Sequence, residues 1–277
     1  MSNSILEYAK TKRIIVAHRG VSGGNIPCNT LASCEIALKM GADMLEIDVE
    51  MSADGKLYVF HPGEEANHLC CMERISRMTS EEIKLLRYVN IDRVYTQFGV
   101  NTRDEILETF RGRCFINVDK FWGHPKEIYE AIKRHGMTDQ ILAKSTYSEK
   151  VLSVLTELAP DLPYMVIAEG SFPQHEALLK SHINYIGVEA LFSDDSEELA
   201  QEGFVDMLHR DGILLWGNSI VYNHKVKLSG IHSDDTALTL DPELGWGWFA
   251  RHGYDFIQTD WPMPLADYLN KKGLLYK

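Results

Sequence analysis

Short apolar runs of strand type alternate along this chain with longer amphipathic stretches. That alternation is the signature of repeated βα units building a parallel sheet. Eight runs stand out: Ile14–Ala17, Met44–Val49, Cys114–Asp119, Ile141–Ser145, Tyr164–Ala168, Tyr185–Glu189, Ile213–Trp216 and Phe256–Thr259. Each is followed by a segment that can be helical. Thr102 ahead of Asp104 and Glu105 reads as a helix start, and Gly136 closes the periodic run from Ile128 to His135. Eight βα units suggest closure, so the pattern predicts an α/β fold, a single (β/α)₈ TIM barrel with residues 1–277 as one domain. An open doubly wound sheet would alternate in the same way, but neither GxGxxG nor GxxxxGK[ST] follows a strand here.

Two stretches break the repeat. Asp54-Gly55 turns the chain into Lys56–Phe60 as a hairpin, and the segment of about 62–100 that follows reads as a small insertion after the second strand, over one barrel mouth. The second stretch, Val221 to Asp235, is polar and without clear period, and a long loop there would lie on the catalytic face.

In such a barrel the functional groups come from the C-terminal ends of the strands. Here the first run ends in His18-Arg19-Gly20, the second carries Glu46-Ile47-Asp48, the third ends Asn117-Val118-Asp119-Lys120, and the fourth to sixth end near Lys144, Glu169 and Glu189. Glu46 and Asp48 are one residue apart, so both carboxylates project to the same side of the strand, about 7 Å apart by the strand rise. Carboxylates are common on surfaces. Inside Met44–Val49, however, an unpaired buried charge is costly and demands a partner. Hard oxygen ligands of this kind suit one divalent cation, Mg²⁺ or Ca²⁺, with Asp119 as a third ligand.

His18 and His61 each close an apolar strand, and two imidazoles near a metal suit proton transfer near neutral pH. Either histidine alone would read as structural; the acid pair changes that. The other nine histidines, His224 among them, carry no assigned role. Trp216 closes the seventh run, where an indole would wall a ligand or fill the core, and Trp246 and Trp248 read as packing.

The formal charge of −12 argues against a nucleic-acid partner, whose phosphates would need clustered Lys and Arg that the sequence does not show. A small phosphorylated substrate stays compatible, because a bound divalent cation reverses the local field. Five cysteines, two of them adjacent at Cys70 and Cys71, form no disulfide framework or CxxC site, which favours a reducing compartment. The N-terminal MSNSILEYAKTKR lacks a signal-peptide stretch and no run is long enough to span a bilayer, so a cytoplasmic protein without membrane insertion is expected.

Taken together, several motifs resemble the glycerophosphodiester phosphodiesterase family, which has a phosphatidylinositol-phospholipase-C-like barrel. They are His18-Arg19-Gly20, Pro27-Cys28-Asn29-Thr30, Gly41-Ala42-Asp43 running into Glu46-Ile47-Asp48-Val49, Asp54-Gly55, His61, and Gly253-Tyr254-Asp255-Phe256-Ile257-Gln258-Thr259-Asp260-Trp261-Pro262. The resemblance implies a hydrolase that releases glycerol 3-phosphate and an alcohol from a small glycerophosphodiester. It implies His18 and His61 as the acid/base pair, Glu46 and Asp48 as metal ligands and Arg19 as a phosphate-binding residue. His18 is taken as the base and His61 as the acid, an assignment the sequence leaves open. Lys120, Glu189 and Trp216 complete the expected substrate wall.

Three departures mark the chain. Cys28 stands where the family usually has Glu, Pro62 stands where it has Asp, and Asn117-Val118-Asp119-Lys120 replaces a Glu-x-Lys motif. They leave the alcohol open among choline, ethanolamine and inositol head groups. Two rival readings use the same residues: a metal-dependent sugar isomerase or aldolase, and a non-catalytic barrel with a degenerate site.

Overall fold

The structure, a computed structural model, describes residues 4–221 and 225–277. Residues 222–224, His224 among them, at the start of the polar stretch expected after the seventh run, therefore lie outside the described residues. Nine strands form among the described residues: β1 (Ile14–Ala17), β2 (Met44–Met51), β3 (Leu57–Val59), β4 (Phe115–Asp119), β5 (Ile141–Thr146), β6 (Tyr164–Glu169), β7 (Tyr185–Leu191), β8 (Leu214–Asn218) and β9 (Phe256–Thr259). Eight of them are parallel and run β1-β2-β4-β5-β6-β7-β8-β9, with β9 pairing back onto β1 to close the barrel. The ninth, β3, is the hairpin strand, antiparallel to β2 with Val49 opposite Val59 across the turn at Asp54-Gly55. All eight predicted runs are barrel strands. β2 extends two residues past its apolar run because β3 supplies backbone partners there.

Alternation sorts each strand into two faces. Ile15, Ala17, Leu45, Ile47, Ile116 and Val118 belong to the large cluster between the strands and the surrounding helices. Ile14, Val16, Met44, Phe115, Leu142, Met165, Leu214, Trp216 and Phe256 form the second cluster, inside the barrel. The helix Ile5–Ala9 adds Ile5 and Ala9 to that inner cluster. Continuing each inward series toward the C-terminal end of the strands gives His18, Glu46 and Asp48, Asn117 and Asp119, Lys144, Asn218 and Gln258. The barrel interior is thus apolar below and polar above, and the polar layer is where a ligand has room.

The insertion after β3 has a core of its own, in which Phe60, Leu69, Ile75, Ile83 and Tyr88 pack together. The buried Glu65 carboxylate accepts the Ile75 backbone N–H at 3.1 Å and so ties two of its short turns. In the polar stretch after β8, Asp234 and Asp235 are not loop: they open the helix Asp234–Thr239, capped by the Ser233 hydroxyl. A cap followed by two acids is a helix start, and it is legible even where apolar periodicity is not. No helix among the described residues is long and apolar enough to cross a membrane.

Candidate active site

The first strand leaves the barrel through an unusual turn. Arg19 and Gly20 both have left-handed backbone, with φ of 54° and 77°. A side chain at Gly20 would bring its Cβ within 2.6 Å of Ser33 Oγ, so the chain must carry glycine there. This turn points the Arg19 backbone N–H at Glu46 Oε2, 2.9 Å away, and sets Arg19 Nε 3.0 Å from Asp48 Oδ2. One residue thereby touches both acids of β2.

Asp48 is held from the other side by Asn29, also left-handed at φ 56°. Asn29 Nδ2 donates to Asp48 Oδ2 at 2.9 Å, and Asn29 Oδ1 accepts the Asp48 backbone N–H at 3.3 Å. Parallel register sets Asp119 directly beside Asp48. Glu46, Asp48 and Asp119 each offer a carboxylate oxygen, and these oxygens lie within 4.8 Å of one another.

Lys120 follows Asp119, and strict alternation would send its side chain outward. Its φ of 61° reverses that direction. Lys120 Nζ lies 2.7 Å from Asp119 Oδ2 and 4.0 Å from Asp48 Oδ1. The displaced lysine of the third-strand motif therefore reaches the acid cluster through backbone geometry rather than sequence spacing.

His18 Nδ1 lies 2.9 Å from Asp260 Oδ1, just past β9. Burial disfavours charge on His18, but the Asp260 hydrogen bond and the nearby Glu46 carboxylate outweigh it, and its pKa is raised. His61 differs. Its Nε2 is 4.0 Å from Asp48 Oδ1, and its Nδ1 is buried with no hydrogen-bond partner among the described residues. Burial dominates there and lowers its pKa. Burial, with Asp48 close by, pushes the Glu46 carboxyl up to about 7. Burial acts in the same direction on Asp119, but Lys120 and Lys144 reverse it and keep its pKa low.

These groups line a cavity of about 230 Å³ whose wall includes His18, Arg19, Glu46, Asp48, His61, Asp119, Lys120 and Glu189. Glu189 is paired, with Lys144 Nζ 2.7 Å from Oε2 and Asn218 Nδ2 donating to Oε1 at 2.7 Å. Trp216, expected as a possible ligand wall, is instead wholly buried beneath the cavity. Its Nε1 faces Asn218 and Gln258 at 3.2 and 3.3 Å, and Lys144 Nζ sits 3.7 Å above its ring. Trp216 supports the floor and does not meet the cavity.

Sequence reasoning assigned no role to Asn29, Lys144, Asn218 or Asp260. Asn29 and Asp260 stood inside recognised motifs, and Lys144 stood at a strand end, so position alone was a signal. Their partners come from other strands, and that pairing is invisible in one dimension.

The acid cluster fits a hard divalent cation. Three oxygen donors converge in a buried place, where burial first and the neighbouring Asp48 second raise the Glu46 carboxyl and so disfavour its charge in the absence of a cation.

A sequence model of the glycerophosphoryl diester phosphodiesterase family matches residues 18–226. Similar proteins include a glycerophosphodiester phosphodiesterase of Bacillus altitudinis, 31% identical over 179 residues, which are 60% of this chain and 71% of that protein. Another, from Bacillus subtilis (strain 168), is 26% identical over 222 residues, 73% of this chain and 74% of that protein. Among solved structures, a glycerophosphoryl diester phosphodiesterase from Parabacteroides distasonis superposes with a TM-score of 0.75 at 19% identity, covering 95% of this chain and 88% of that one. An Oleispira antarctica phosphodiesterase solved with its product sn-glycerol-3-phosphate superposes at 0.69 with 21% identity, covering 94% and 97%. At such identities the structural likeness speaks for the fold, whereas the family match spans well over half of the chain. On that match, the chain belongs to the glycerophosphoryl diester phosphodiesterase family.

Proposed function

We propose that this protein hydrolyses glycerophosphodiesters to glycerol 3-phosphate and an alcohol, with His18 and His61 as its acid/base pair and one divalent cation on Glu46, Asp48 and Asp119. The observation that carries the reading is the convergence of three carboxylate oxygens, two imidazoles and two cationic side chains on one cavity. A divalent cation such as Mg²⁺ or Ca²⁺, held by Glu46, Asp48 and Asp119, would supply Lewis-acid polarisation to the phosphate and the attacking hydroxyl.

The chain's own residues do the rest. Arg19 and Lys120 hold the phosphate and offset its negative charge as the phosphorus is attacked. Glu46, Asp48 and Asp119 keep their directions because Arg19, Asn29 and Lys120 brace them. His61, with no carboxylate within hydrogen-bond distance among the described residues, is held toward its neutral form by burial, and in that form it takes the proton of the attacking hydroxyl. His18, whose imidazolium form Asp260 stabilises, donates a proton to the departing alkoxide. The attacking hydroxyl is the glycerol's own: its P–O bond forms as the bond to the alcohol breaks, and water then opens the resulting cyclic ester, giving its proton to His18 while His61 returns one to the glycerol oxygen, so that glycerol 3-phosphate is released and both histidines are restored. These roles reverse the base and acid chosen from sequence. What supports this reading is the Asp260 carboxylate beside His18, which no spacing rule connects to it.

The test is release of glycerol 3-phosphate from a panel of glycerophosphodiesters by the purified protein, stripped with EDTA and then supplied with Mg²⁺ or Ca²⁺. Turnover that EDTA abolishes and a divalent cation restores is the expected result. Turnover indifferent to EDTA would remove the metal from the proposal, and no turnover on any diester would remove the activity.

A further inference from the structure

Beside the reaction cavity a groove of about 500 Å³ opens, sharing His18 and Arg19 with it. Its walls are Val21 and Cys28 from the loop after β1, Met40 at the end of the helix Leu31–Lys39, and Trp261, Met263 and Pro264 at the start of the helix Pro262–Lys271. The only carboxylate and guanidinium on those walls are already engaged: Asp260 faces His18, and Arg19 faces Asp48. The other polar side chains are few, Ser22 and His68.

We infer that this groove receives a linear apolar chain carried by the substrate, so that the preferred diesters are amphiphilic, with an alkyl or acyl chain on one of their two alcohols. The inference rests on the diester hydrolysis proposed above and names the substrate class for the same site. Four features support it. The groove has the volume of a small-molecule site, which runs from about 300 to 1,000 Å³. Trp261 and Met263 leave 50% and 49% of their surface in water, and a chain laid between them would cover apolar area that the fold itself leaves bare. Burial pushes the Cys28 thiol up to about 11, so this wall carries no charge at neutral pH. A polyhydroxylated head group would find few partners for its hydroxyls and would lose hydrogen bonds to water on entry.

The experiment is a chain-length series, measured below the micelle concentration with the metal-loaded protein. In one arm an acyl chain on the glycerol is lengthened from ethyl to octyl size; in the other, the chain sits on the departing alcohol. The expected result is that kcat/KM rises by roughly two- to fourfold per added methylene in one arm, the yield of burying a CH₂ group. The arm that rises identifies the alcohol bearing the chain. Met263→Glu, which brings a charge into the groove, should pull the octyl-to-ethyl ratio toward one, with circular dichroism checking that the variant is folded.

A flat series in both arms, with glycerophosphocholine turned over normally, overturns the groove assignment and leaves the hydrolysis standing. If no diester is turned over, calorimetric titration with alkyl monophosphates from ethyl to octyl decides the groove by itself. Affinity that climbs with chain length, and climbs less in Met263→Glu, supports the assignment; affinity independent of length overturns it.

Discussion

Arg19, Asn29 and Lys120 are three of only five non-glycine residues with positive φ among the described residues, and all three turn toward the acid cluster. Left-handed backbone costs an ordinary residue on the order of 1 kcal/mol or more, so its concentration here marks strain held for orientation. Asn29→Ala should therefore leave the barrel folded while weakening divalent-cation binding by roughly 10- to 100-fold, as loss of a brace behind a metal ligand does; calorimetric titration of the EDTA-stripped variant measures it. Replacing His18 or His61 by Ala should lower kcat by about 10²- to 10⁴-fold with little change in the unfolding transition. Turnover unchanged in both variants would end their assignment as the acid/base pair. Asp260→Asn separates the two histidines. It removes the hydrogen bond that raises the His18 pKa, so His18 loses its proton at lower pH and the alkaline limb of the kcat/KM profile should move down, with the acidic limb in place.

At the scale of elements, the β1-to-helix turn does the most positioning. Gly20→Ala would need a Cβ 2.7 Å from the Ser33 carbonyl carbon and 2.8 Å from Cys34 N, on backbone at φ 77°, and both neighbours are backbone atoms. The unfolding free energy should fall by roughly 2 kcal/mol or more, read by denaturant titration, and activity should fall with it because the Arg19 N–H leaves Glu46. The strands themselves were legible because each is a short apolar run, and inward-facing acids within such a run are conspicuous. The bounds of β2 and β7 were less so: each runs two residues past the expected run, to Met51 and Leu191, because the neighbouring β3 and β6 supply backbone partners there. The helix from Asp234 was missed because six residues give too little periodicity, although its cap was in plain view.

Across the whole molecule, pH acts through buried carboxylates of opposite tendency. Asp255 accepts the Leu215 N–H at 2.7 Å, faces His209 at 3.0 Å and pairs with Lys277, so β8, the start of β9 and the segment after the last helix meet there. Burial opposes its ionisation, but His209 and Lys277 outweigh burial and lower its pKa. The unfolded chain therefore takes up the proton first. Asp255's contribution is complete above the ordinary carboxylate range and disappears as pH falls through its folded value. Asp255→Asn should lose stability at neutral pH and show a shallower acid transition, followed by denaturant titration at stepped pH. Glu46 behaves in reverse. Raised to about 7 in the folded protein, it favours the protonated native state, so the EDTA-stripped protein should lose stability as pH rises from the ordinary carboxylate range through about 7. A saturating divalent cation should cancel that loss, seen as a cation-induced rise in Tm that is larger at pH 8 than at pH 5. An equal rise at both values would mean that the cation does not bind at Glu46.

The sequence by itself determined the barrel, because eight apolar runs with helical spacers have few other ways to bury their surface, and it determined the acids at 46 and 48, because alternation along one strand sends both inward. It also carried the family, through motifs that are local in the chain. Tertiary structure alone decided what those residues touch. Asp119 joins Asp48 through strand register, Lys120 joins both through a reversed backbone dihedral, and Asp260 reaches His18 because the last strand closes onto the first. Trp216 went beneath the cavity for the same reason: how far along an inward-facing series the apolar layer ends depends on how the strands stagger around the cylinder, and stagger is a property of the closed sheet that no single strand contains.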